Sequence, residues 1–204
     1  MIVYVETNFV LELALGQEES ESARDVLELT SNRNVELCIP AFSLVEPFWA
    51  LSGQKRRRDE LLNLLQREGR ALGRTRAWGE LAESVGRISE QIQGVDNAAL
   101  MELEDAVRQL LASATVLDLN ASVLDAALAI NLQIDLSIPD AVVLASIGEH
   151  LRVQPSLPDS IFISKDRKDF GDPLITQWLR ERGCRYIPSI QNGLRWIEAR
   201  LGGP

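Results

Sequence analysis

Five short β-branched or aromatic runs, separated by longer helix-forming stretches, constrain the fold of this chain more than any other feature. They are Ile2–Val5, Val35–Ile39, Val116–Leu117, Ile161–Ile163 and Cys184–Ile187. Short apolar runs of this kind read as strands buried on both faces, and helices between them demand parallel pairing through right-handed crossovers. The expected fold is therefore α/β, a central parallel sheet flanked by helices. With 204 residues and 46% hydrophobic content, the chain suits one domain spanning 1–204 with a sizeable core.

The first run ends in a carboxylate, Glu6, followed by Thr7-Asn8 and a helical pattern carrying Phe9, Val10, Leu13 and Ala14 on one face. Open α/β sheets bind ligands beyond the carboxyl ends of their strands, so Glu6 is placed as a ligand would be. A charge on the dipole of the following helix is the competing reading.

Further on, Glu18 to Ser31 is a second helical pattern, closed by Asn32 to Asn34. Pro40 ends the second strand before an apolar helix containing Phe48 and Trp49, where Glu46 stands alone among greasy neighbours. Ser43 and Glu46 have capping-box spacing, which would explain the acid; metal ligation is the alternative. Gly53 is expected to break that helix.

From about 54 to 114 the sequence is almost wholly helix-forming. A basic helix covers roughly 55–68, and a helical hairpin arm is expected from a helix at Thr75–Gln93, a stop at Gly94-Val95-Asp96, and a return at Asp96–Ser113. Trp78 is expected between those helices. Asn120 to Leu132, with Val123, Leu124, Ala127, Leu128 and Ile130, reads as a buried helix. Pro139 suits the first turn of another, Ala141 to Ile147, stopped by Gly148, and Ser137 and Asp140 again have capping-box spacing. A Pro-rich loop at Gln154–Pro158 leads into the fourth strand, from whose end Ser164-Lys165-Asp166 emerges. Asp169-Phe170, a helix to Arg182, Gly183 as its stop, the fifth strand and a helix from Ser189 to Leu201 complete the chain.

Charge and composition exclude several classes. The formal net charge is −9, which argues against a protein coated in positive charge for nucleic acid. The basic residues are uneven, however: Lys55 to Arg76 holds eight of them against three acids. This stretch is either a solvated helix face or a nucleic-acid contact, with Lys55, Arg56, Arg57 and Arg58 as candidates. One histidine, His150, rules out two-histidine ribonuclease chemistry, and its expected role is a cation at a helix end or a spectator. Cys38 and Cys184 lie far apart in apolar surroundings and read as buried thiols. No P-loop, G-x-S-x-G elbow or D-x-D phosphatase pattern occurs. Apolar runs stop well short of ~18 residues and Met1 opens directly into a strand, so the expectation is a cytoplasmic protein without a membrane segment.

Four acids stand at comparable places: Glu6, Glu46, Asp140 and Asp166. Converging carboxylates repel one another unless a hard cation such as Mg²⁺ or Mn²⁺ lies among them. In the stretches VETNFVLE, PAFSLVEPFWAL, IPDAVVLAS and FISKDRKDF, taken in this order, the sequence resembles the PIN-domain family, including its VapC-like toxin ribonucleases. The resemblance implies a three-layer α/β fold and a metal-dependent endoribonuclease. It makes Glu6, Glu46, Asp140 and Asp166 the catalytic acids holding Mg or Mn, with Asn8, Ser164 and Asp169 as supporting or substrate-contacting residues. Metal-activated water would attack an RNA phosphodiester. RNA, an antitoxin protein and a second copy of the chain are the implied partners. Two features depart from the family pattern: Glu6 replaces the usual Asp, and the gap between Glu46 and Asp140 is long. A catalytically weak or inactive PIN-like module binding protein or RNA is the alternative reading.

Overall fold

The computed structural model describes residues 1–30, 35–154 and 159–202. Five parallel strands, β1 (Ile2–Tyr4), β2 (Glu36–Pro40), β3 (Thr115–Leu117), β4 (Ser160–Ile163) and β5 (Cys184–Ile187), form one sheet in the order β3-β2-β1-β4-β5. The chain builds outward from β1 through β2 to β3, then crosses to the other side of β1 for β4. The β1/β4 boundary is thus the switch point at which such sheets open a crevice.

Side-chain alternation along the strands feeds two cores. Val3, Val5, Leu37, Ile39, Ile161 and Ile163 pack with α1 (Thr7–Leu15), α2 (Ser20–Thr30), α8 (Ile190–Leu201) and the sheet-proximal ends of α3 (Ala41–Leu72) and α4 (Gly79–Ser113). Ile2, Tyr4, Cys38 and Phe162 point the other way, onto α5 (Ala121–Ile134), α6 (Ile138–Val153) and α7 (Pro173–Glu181). The result is the expected three-layer α/β fold, with both thiols buried and free.

The helical middle differs from expectation. Gly53 does not break α3, which runs unbroken for 32 residues, and the stop expected at Gly94-Val95-Asp96 is absent because α4 continues for 35. The hairpin is formed by α3 and α4, turning at Gly73 and a 3₁₀ segment, Arg76–Trp78. An isolated glycine costs a helix only about 1 kcal/mol, which a partner helix along the whole length readily offsets. Asp96 is no cap; it pairs with Arg58 across the hairpin. Trp78 sits at the arm's tip, 53% exposed, and not between helices.

In α5 Val123, Ala127 and Ile130 are buried in the core and Ala126 and Ile134 pack partly buried against it, while Leu124 and Leu128 are exposed. Gly148 does not stop α6. A Cβ there would stand 2.5 Å from Trp178, so its glycine admits the ring of α7. The close at Asn32–Asn34 and the loop at 155–158 lie outside the described residues. Among those residues, no single helix is long and apolar enough to cross a membrane.

Candidate metal centre at the carboxyl ends of the strands

Each of the four acids belongs to a different element. Glu6 follows β1 as the N-cap of α1, and one of its oxygens, Oε2, accepts the Asn8 N–H at 2.8 Å. The helix-end reading is therefore correct for that oxygen. The other, Oε1, is buried with no hydrogen-bond partner, and the residue is only 4% exposed. Burial pushes the Glu6 carboxyl up to about 7, against the opposing pull of Asn8 and Ser164, and the neighbouring Glu46 raises it further.

Glu46 is not part of a capping box. The α3 N-cap is Pro40, which puts Ser43 inside the helix with a buried hydroxyl lacking a partner, and Glu46 in the second turn. Its Oε2 instead accepts the hydroxyl of Thr7. Spacing misled here because S-x-x-E also occurs one turn inside a helix.

The helix-start reading holds at Asp140. Ser137 caps α6, its Oγ accepting the Asp140 N–H at 3.4 Å, and the hydroxyl also contacts the Asp140 carboxylate. Burial raises the Asp140 carboxyl, partly offset by Ser137, and Asp169, Asp166 and Glu46 add repulsion. Asp140 thus feels the charge of Asp169, Asp166 and Glu46, and Glu6 that of Glu46, although among the described residues no three of these carboxylates bring an oxygen each within 4.8 Å of one another.

The Asp166 turn is tightly built. Asp166 Oδ1 accepts the N–H groups of Lys168 and Asp169 at 3.1 and 3.0 Å, while its own N–H donates to Ser164 Oγ at 3.0 Å. Tyr186 donates to the carbonyls of Ser164 and Asp166, both at 3.1 Å. Asn8 and Ser164 thus act on the backbone and carboxylates that frame the crevice.

Besides Tyr186, Glu12 and Lys165 escaped the sequence reading. Glu12, fully buried on α1, pairs with Lys165, next to Asp166, and its Oε2 accepts the Glu19 N–H at 2.8 Å. A charge on the apolar face with Phe9 and Leu13 was the available signal for Glu12; its partner, remote in sequence, gave none. Of the basic candidates, Lys55, Arg56 and Arg57 are exposed, whereas Arg58 is held by Asp96 and by Gln54 at 3.2 Å.

An all-oxygen donor set, with one buried oxygen lacking any partner and two carboxyls raised by burial and repulsion, fits a hard divalent cation. Sheet order and the acids that follow its strands and open its helices define a parallel α/β fold with a candidate metal centre. A PIN-domain family model matches residues 3–170, and the chain belongs to the PIN-domain family. No curated protein matches the chain.

Proposed function

We propose that this chain is a Mg²⁺- or Mn²⁺-dependent endoribonuclease. The observation carrying this reading is the partnerless Oε1 of buried Glu6, beside acids that repel one another. Glu6, Glu46, Asp140 and Asp166 would hold the ion. When bound, it supplies a nucleophilic water at neutral pH and counter-charge for a phosphodiester. Thr7 orients Glu46, the Asn8 N–H fixes one oxygen of Glu6, and Ser164 and Tyr186 shape the Asp166 turn. Asp169 adds negative charge facing Asp140.

Exposed Lys55, Arg56 and Arg57 offer the RNA backbone concentrated positive charge on a chain that is net negative overall. Exposed apolar residues on the arm, among them Leu61, Leu64, Leu81 and Ile88, are surface for a protein partner, either an antitoxin or a second copy. The toxin role in a toxin–antitoxin pair is the physiological part of the proposal.

The test is cleavage of labelled RNA with Mn²⁺ or Mg²⁺ by the wild type and Asp140→Asn. Wild-type cleavage with a loss of at least about 100-fold in the variant is expected, the scale of removing a group that stabilises transition-state charge. Equal cleavage by both proteins, or none with any metal, sinks the proposal. Mn²⁺ binding without turnover would favour the non-catalytic module, in which Glu6, committing one oxygen to the α1 cap, leaves the centre detuned.

A further inference from the structure

A second set of metal-type side chains lies at the opposite end of the sheet. Glu36 and Cys38 alternate along β2 and so project to the same face, where His150 from the last turn of α6 meets them. One donor atom from each of the three lies within 4.8 Å of the other two, and among the described residues no other set of three His, Cys, Asp or Glu side chains is gathered this closely. Asp140 is in the first turn of the same helix, ten residues and roughly 15 Å from His150. This site is therefore separate from the acidic centre.

We propose that Glu36, Cys38 and His150 form a zinc site that staples α6 to β2. The donor set argues for the metal: one sulfur, one imidazole nitrogen and one carboxylate oxygen suit Zn²⁺ and not Mg²⁺. Charge argues for it as well. Coordination releases the Cys38 thiol proton to solvent, His150 binds neutral, and thiolate plus carboxylate cancel the two charges of the ion, so no net charge is buried.

The surroundings have the supporting bonds that metal ligands need. The Tyr4 hydroxyl lies 2.7 Å from His150 Nδ1, fixing the imidazole ring, and Thr115 Oγ1 donates to Glu36 Oε1 at 3.1 Å. Tyr4 and Cys38 are register partners on β1 and β2, so ligand and ring support share one wall. Exposed Glu36 and half-buried His150 flank buried Cys38, and His150 and Thr115 line a cleft of about 370 Å³. Of the three ligands only His150 lines that cleft, and three protein ligands leave a fourth position for water or a small anion.

The test uses the metal-stripped full chain titrated with Co²⁺ as a spectroscopic stand-in for Zn²⁺, followed by Zn²⁺ displacement in excess Mg²⁺. A thiolate-to-cobalt charge-transfer band saturating at one ion per chain is expected, with a rise in melting temperature on adding Zn²⁺. Asp140→Asn should keep the band and Cys38→Ser should lose it. Glu36→Gln, at an exposed position where folding is not at stake, should weaken Co²⁺ binding more than about tenfold, the lower end of what loss of an outer supporting group costs. No thiolate band in the wild type, or a band that survives in Cys38→Ser, overturns the proposal. So does Co²⁺ binding that Asp140→Asn abolishes and Glu36→Gln leaves unchanged. RNA cleavage enters none of these readouts, so the zinc site stands or falls independently of the proposed nuclease.

Discussion

Thr7 donates its side-chain hydroxyl to Glu46, joining the first turn of α1 to the second turn of α3. Glu46 is half-buried at the edge of the crevice, so this bond decides where its free oxygen points. Thr7→Val keeps the shape and removes the donor. About 1 kcal/mol of stability should be lost, with Mn²⁺ affinity down about tenfold and Thr7→Ser restoring it. Isothermal titration with Mn²⁺ on the three proteins checks this; unchanged affinity in Thr7→Val would show that Glu46 is not a ligand.

Glu6 gives a pH signature in metal-free protein. Its folded-state value is raised from 4.5 to about 7, so below 4.5 both folded and unfolded chains carry it protonated. Between these values only the unfolded chain ionises, and the native state loses stability as pH rises through the window, by up to about 3 kcal/mol. Glu6→Gln should abolish that loss and be more stable than wild type at pH 8 in chelator, yet the same below pH 4.5. Added Mn²⁺ should reverse the order at pH 8. Urea unfolding across the pH range measures it, and parallel wild-type and variant curves would contradict the burial argument.

Glu12 and Lys165 are the fold's buried ion pair beside the crevice, with Glu12 fully buried and Lys165 partly exposed. The hydrogen bond to Glu12 holds the Lys165 ammonium above its usual range. Lys165→Met leaves the Glu12 carboxylate with the Glu19 N–H and no cation, costing about 3 kcal/mol. Adding Glu12→Gln should recover most of that stability, since no buried charge then remains. A double-mutant cycle by denaturant unfolding provides the comparison, and additive losses would show that the pair is not coupled.

The strands were readable because they are short β-branched or aromatic runs, with β1 and β4 buried on both faces along their whole length and the edge strands β3 and β5 partly exposed. The placement of Glu6, Glu46, Asp140 and Asp166 at one end of the sheet follows from the same pattern, since each belongs to a segment that follows a strand or opens a helix. Spacing failed where one pattern serves two geometries. Ser43 and Glu46 match a capping box, yet they lie inside α3, because Pro40 starts that helix earlier. Gly53 and Gly94 look like stops but sit within long helices supported by each other. Contacts between distant segments were invisible: Lys165 with Glu12, Tyr186 with the Asp166 turn, and His150 with Tyr4.

Gly171 controls the turn that presents Asp166. A Cβ there would stand 2.3 Å from the Arg167 carbonyl oxygen, a backbone atom that cannot swing away. Gly171→Ala must therefore open the turn that aligns the Lys168 and Asp169 N–H groups on Asp166 Oδ1. A loss of about 1–3 kcal/mol is expected, with Mn²⁺ affinity falling alongside it. Thermal unfolding and metal titration test the two parts, and wild-type behaviour in both would mean the turn relaxes elsewhere.

The basic face of α3 separates electrostatic from structural roles among adjacent residues. Arg57 lies eleven residues beyond Glu46, about 16 Å along the helix and within about 20° of the same face. An RNA backbone entering the crevice beside Glu46 would therefore pass it. Arg58 is turned instead toward α4, where Asp96 binds it. Replacing Lys55, Arg56 and Arg57 together with alanine should weaken RNA binding and flatten its salt dependence by up to about 2 in log–log slope, at about 0.7 per lost phosphate contact on a single strand. Arg58→Ala should leave the slope unchanged and lower the melting temperature, because it unpairs Asp96, a residue with only 10% of its side chain exposed. RNA binding measured across a salt series, beside thermal melts of both variants, distinguishes the two. An unchanged slope in the triple variant would make the basic run a solvated helix face and send the RNA path elsewhere.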